Sequence, residues 1–192
     1  SLGVPGNFET AVSLVASRVG LDPVVVVSAL NGVTNLLAEY ARVPERRERI
    51  SEEFAERHLG FTLDVGLGTG AVADLLTAWK DEDAAHRADP RPLAGERRDR
   101  VLSFGERLSA AIFAAALGER GVDADPVDAG GAGLVTDESF GAAHPLPEAP
   151  ERLRRGLADR TRLPVVTGFL GRTLDGRITT LGRGGSDYSA AL

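Results

Sequence analysis

The feature that most restricts the fold is a run of four valines, Val24–Val27, placed directly behind Pro23. Consecutive β-branched residues favour a strand over a helix. A strand without polar alternation is predicted to be buried on both faces, as in a parallel sheet covered by helices. Pro164-Val165-Val166-Thr167-Gly168 has the same character, and Ala124–Ala129 reads as a further short strand ended by Gly130-Gly131. Helical segments lie between these strands. Strands alternating with helices imply an α/β layered fold with right-handed crossovers.

The helical segments follow from spacing and punctuation. Asn7 is the predicted N-cap of a helix to about Val19, with Phe8, Ala11, Val12, Val15 and Val19 on its buried face. Thr34 to about Ala41 reads as the next helix, after a turn at Ser28–Gly32. Pro44 to about Leu59 is charged and predicted to be a mostly solvated helix. Helix, break and helix follow over Phe61–Ala88, ended by Asp89-Pro90-Arg91-Pro92. A long helix is predicted over about Glu96–Arg120, with Val101, Leu108, Ile112, Ala115 and Ala116 in the core. Pro147–Ala158 reads as helical with Pro150 in its first turn. Asp175-Gly176 occupies a hairpin position.

Composition excludes several functions. The net charge of −6 argues against a broad nucleic-acid-binding face. The absence of cysteine removes disulfides, a thiolate nucleophile and zinc–cysteine sites. His58, His86 and His144 have no metal-ligand spacing and read as surface or turn residues. No apolar run approaches the roughly 20 residues that span a bilayer, and no signal peptide is visible, so a cytoplasmic setting and no membrane partner are expected. No methionine occurs, even at position 1, so the chain reads as not beginning at a natural start. Lys80 is the only lysine.

Two glycine-rich stretches invite a ligand. Thr62-Leu63-Asp64-Val65-Gly66-Leu67-Gly68-Thr69-Gly70 is similar to the first cofactor motif of S-adenosylmethionine-dependent methyltransferases. That fold requires a second strand within Lys80–Arg98, which contains no apolar strand. The stretch therefore reads as a turn between helices. The second is Thr179-Thr180-Leu181-Gly182-Arg183-Gly184-Gly185-Ser186-Asp187, ahead of a helical Tyr188–Leu192. Glycines admit a ligand close to the backbone, a helix start favours anions, and an arginine grips a carboxylate or phosphate bidentately. Ser186 is the predicted N-cap of that last helix.

Three segments, in order, resemble one family. Val24–Leu37 resembles an early strand and helix of aspartate kinases. Ser103-Phe104-Gly105-Glu106-Arg107-Leu108-Ser109-Ala110 is similar to their glycine–glutamate helix. Gly168-Phe169-Leu170-Gly171 with Thr179–Ala191 is similar to their substrate loop.

The resemblance covers nearly the whole chain and implies the three-layer amino-acid kinase fold, a mostly parallel sheet between helices, here incomplete. It implies ATP and Mg²⁺ as cofactors and transfer of the γ-phosphoryl group to the β-carboxylate of L-aspartate, the first step towards lysine and threonine. Arg183 would grip the α-carboxylate and Glu106 would accept from the α-ammonium. Asp187, with Arg183 in the catalytic pair, would hold the ammonium or order the phosphoryl group. Ser28 and Thr34 would contact carboxylate or phosphate, and Gly184, Gly185 and Ser186 would donate backbone N–H groups.

The family's opening Lys-Phe-Gly-Gly strand, its second phosphate lysine, its nucleotide-binding half and its regulatory domains have no counterpart among these residues. Residues 1–192 thus read as the substrate-binding half, expected to be inactive alone and to be completed by the rest of a longer chain, a complementary chain or a homo-oligomer. Two other readings stand beside this: a non-catalytic module that binds an amino acid or packs on a partner, and a kinase of another small carboxylate.

Overall fold

The structure is a computed structural model, and it describes residues 3–158, 160–182 and 184–192. Three parallel strands, β1 (Val25–Val27), β2 (Ala124–Val127) and β3 (Leu163–Thr167), form a sheet in the order β1-β3-β2. β3 is central and every residue of it is buried. The register pairs Val25 with Val165 and Val127 with Val166. A hairpin of β4 (Leu170–Arg172) and β5 (Ile178–Thr180) turns at Asp175-Gly176, where Gly176 has φ +90°.

Among the described residues seven helices surround the strands: α1 (Pro5–Ala16), α2 (Val33–Arg42), α3 (Arg47–Asp64), α4 (Ala73–Arg87), α5 (Gly95–Gly118), α6 (Ala149–Ala158) and α7 (Gly185–Ala191). α5 lies across one sheet face. Around it α1 to α4 build the main core, from Phe8, Tyr40, Phe54, Trp79 and Phe113 among others. Edge-to-face rings join it, Phe8 meeting Phe61 at 5.2 Å and Trp79 meeting Phe104 at 5.4 Å. The opposite face carries α6 and α7 over a much smaller cluster around Leu134, Leu153 and Val166. Helices on both faces of a parallel sheet are the three-layer α/β arrangement expected from the sequence.

Several local expectations are corrected. Among the described residues the valine run is an edge strand, not one buried on both faces: there only β3 pairs with it, and Val24 is half exposed. α1 starts at Pro5, with Val4 as N-cap and Asn7 inside the helix, because proline fits the first helical turn. Val19 leaves that helix for a separate 3-10 turn and is largely exposed. α3 is not mostly solvated; Ile50, Phe54, His58 and Phe61 are buried along one stripe.

His58 and His86 are buried rather than surface residues. His58 packs on the Phe54 ring at 4.4 Å, and desolvation lowers its pKa to about 4, so it is a neutral core side chain. The Gly66–Gly70 stretch is a turn and a short 3-10 segment between α3 and α4, as read. α5 is long and apolar enough to cross a bilayer, closer to that length than the sequence reading allowed. However, most of its apolar stretch is buried inside the protein, as in a core helix.

Candidate functional site

β1 and β3 run side by side and end together, where the Gly168 N–H donates to Val27 O at 2.8 Å. The chain leaves β1 as Ser28-Ala29 and β3 as Gly168-Phe169, and both turns open on one cavity of about 750 Å³. This is the carboxyl edge of a parallel sheet, where open α/β folds place ligands. Ser28, Thr34, Glu106, Gly184, Gly185, Ser186 and Asp187 all line the cavity. Arg183 lies outside the described residues.

Each element delivers its side chain for a local reason. Val33 begins α2 behind Gly32, whose φ of +78° favours glycine, so Thr34 falls in the first turn facing the cavity and makes no cap bond. α5 brings Glu106 beneath the same turn, and it approaches closely because position 105 is glycine. A Cβ there would lie 3.0 Å from both Ala29 Cβ and Val33 Cγ1.

Glu106 is 3% exposed. Its carboxylate accepts the Ala29 N–H, while its Oε2 has no hydrogen-bond partner. Burial pushes its pKa up to about 8, only partly opposed by the Ala29 bond. A buried acceptor without a donor, lining an open cavity, is a ready seat for a cationic group.

The glycine loop forms the opposite wall. Gly182 and Gly184 have φ of +76° and +75°. α7 starts at Gly185 with Gly184 as N-cap, so Ser186 lies inside the helix and is not its cap. The Gly185 N–H donates to Gly182 O at 3.1 Å, so it is spent within the loop rather than offered to a ligand. Gly168 lets α7 come close, since a Cβ there would lie 2.7 Å from Ser186 Oγ. Asp187 is exposed at the cavity mouth.

Sequence reading missed three contributors. Phe169 walls the cavity at φ +65°, a conformation that costs a non-glycine residue about 1–2 kcal/mol. Ser189 ties α7 down, accepting the Phe169 N–H at 3.2 Å and donating to Gly185 O at 2.8 Å. Arg98 brings a cation to the cavity, one face of α5 carrying Arg98, Leu102 and Glu106 at four-residue spacing. That spacing was the signal available in the sequence.

Comparison with known proteins accords with this geometry. The family model described as the amino acid kinase family matches residues 3–192. The chain belongs to the amino acid kinase family. It is 33% identical to an aspartokinase of Chlamydia trachomatis over 175 residues, covering 88% of this chain and 38% of that protein. It is 35% identical to lysine-sensitive aspartokinase 3 of Escherichia coli over 173 residues, covering 88% of this chain and 38% of that protein. The crystal structure of E. coli aspartokinase III in complex with aspartate and ADP superposes with a TM-score of 0.77 at 29% identity, over 95% of this chain and 42% of that one. The chain thus spans well under half the length of these relatives.

Proposed function

We propose that this chain is the aspartate-binding part of an aspartate kinase, an ATP-dependent enzyme that forms aspartyl β-phosphate and ADP. The observation that carries the reading is Glu106, whose unpartnered buried carboxylate oxygen lines a cavity walled by the glycine loop. The relatives' names and the aspartate and ADP in the E. coli complex support the same reading.

In this assignment Glu106 takes the α-ammonium of aspartate, a charge-assisted bond that replaces the missing donor. Arg183 takes the α-carboxylate, an assignment that rests on the sequence resemblance. The β-carboxylate then points towards Ser28 and Thr34, with Asp187 at the mouth where the phosphoryl group arrives. The β-carboxylate oxygen attacks the γ-phosphorus, the bond from γ-phosphorus to the β,γ-bridging oxygen breaks, and ADP leaves. Holding three groups of a small substrate in one pose is a large part of the rate enhancement for such a step.

ATP and Mg²⁺ would be held mainly by residues outside this pocket. Among the described residues no group of three or more His, Cys, Asp or Glu side chains is placed to hold a metal ion. The longer protein, in a cytoplasmic setting, would supply the activity; the isolated chain is expected to bind aspartate without turning over ATP.

Titration calorimetry tests the reading. The chain should take up L-aspartate, and Glu106→Gln should weaken that uptake at least tenfold while the protein melts as before. Tight binding of aspartate that is indifferent to Glu106→Gln would refute the assignment, and so would steady ATP turnover by the isolated chain.

A further inference from the structure

We infer that Asp99 is a positioning residue that fixes the glycine loop against Glu106. Asp99 lies on α5 seven residues before Glu106, on the same helical face and about 10 Å along the axis. It is 0% exposed. Its Oδ2 accepts two backbone N–H groups at 2.8 Å, from Gly141 and from Thr180. Its Oδ1 lies 3.4 Å from Nη1 of Arg98.

Thr180 is the last residue of β5, and the first glycine of the loop, Gly182, follows two residues later. The peptide groups around it are used on every side. Thr180 O accepts the Ala143 N–H, and the Leu181 N–H donates to Phe169 O, both at 2.9 Å. The 141–143 segment also braces the loop, since a Cβ on Gly182 would lie 3.5 Å from the Ala142 Cα. One carboxylate therefore joins the helix that carries Glu106 to the base of the loop and to the segment packed behind it.

Burying a carboxylate costs solvation that two backbone donors only partly restore. An apolar side chain could fill the space but would leave both N–H groups unpaired. The two walls of the cavity come from stretches some eighty residues apart, and their spacing decides whether one small amino acid touches both. A displacement of about 1 Å at such a point can cost about a hundredfold in rate.

The test combines amide hydrogen exchange on the ligand-free chain with calorimetry; its calorimetric arm rests on the aspartate-binding reading. Asp99→Ala should speed exchange at Gly141, Thr180 and Gly185 at least tenfold while leaving the Ser103–Leu108 amides unchanged. It should weaken aspartate uptake at least tenfold. Asp99→Asn keeps an acceptor oxygen and should fall between wild type and Ala in both readouts, a rescue that a purely structural role would not carry into affinity.

Unchanged Gly185 exchange and wild-type affinity in Asp99→Ala would overturn the inference. If that variant does not melt cooperatively, Asp99→Asn decides: at least threefold faster Gly185 exchange supports the role, and wild-type values refute it. If the loop loosens as expected but even the wild-type chain takes up no aspartate, the positioning role stands and the aspartate-binding reading falls.

Discussion

At the residue scale the two most telling side chains are ionisable groups held out of water, and their surroundings set opposite behaviour. Arg47 is 1% exposed, and its guanidinium donates to the carbonyls of Tyr40, His86, Asp89 and Arg91. These acceptors sit at the ends of α2 and α4 and in the turn after α4, where helix carbonyls lack partners. Arg47→Ala removes all four donors at once, and we expect a loss of about 3 kcal/mol or more in urea unfolding. Glu106 instead keeps an unpartnered oxygen, and burial holds its carboxyl mostly protonated near neutrality with a pKa of about 8.

A raised carboxyl pKa contributes stability to the ligand-free protein that is full below about pH 4.5 and lost as pH rises through 8. Binding of an ammonium reverses the preference and expels the proton. Calorimetry in buffers of different ionisation enthalpy should therefore show close to one proton released per aspartate at pH 7 and none above about pH 9. Affinity should rise up to tenfold per pH unit below 8. Binding without proton release at pH 7 would count against Glu106 as the ammonium seat.

At the scale of elements, close approach rather than propensity places the site. α7 reaches the end of β3 only because position 168 carries no side chain: a Cβ would lie 2.7 Å from Ser186 Cβ and 3.0 Å from its Cα. Gly168→Ala must push α7 and the loop before it outward. We expect aspartate uptake to fall at least tenfold while far-ultraviolet circular dichroism is little changed; full retention of binding would show that α7 moves without consequence.

The same elements mark what the sequence makes legible. The helix over residues 95–118, the hairpin at Asp175-Gly176 and the strand around Val165 follow from periodicity and turn chemistry, which act locally. The starts of α1 and α7 do not, since Val4 and Gly184 hold the cap positions expected for Asn7 and Ser186. Asp99, buried His58 and the edge position of the valine run are also hidden, because each depends on a partner far away in the chain. The glycine loop stands out from its own residues as an anion-handling stretch, whereas Glu106 is singled out by resemblance alone; by spacing it is one more helix carboxylate.

For the whole molecule the two sheet faces are unequal. Among the described residues, α5 and the four helices before it bury one face deeply, whereas the other carries only α6 and α7. Between these helices and the edge of β1 lies a largely apolar groove of about 470 Å³, walled by Val24, Val26, Leu157, Val166 and Leu192, with Asp22, Arg154 and Arg160 also lining it. An uncharged edge strand beside an apolar groove invites pairing with another copy. We therefore expect the isolated chain to self-associate as concentration rises, measured by sedimentation velocity. Val24→Lys, which puts a charge on the exposed edge, should shift it towards monomer with the aspartate cavity on the far end of the strands unaffected. A wild-type chain that stays monomeric at high concentration would show instead that α6 and α7 are cover enough for that face.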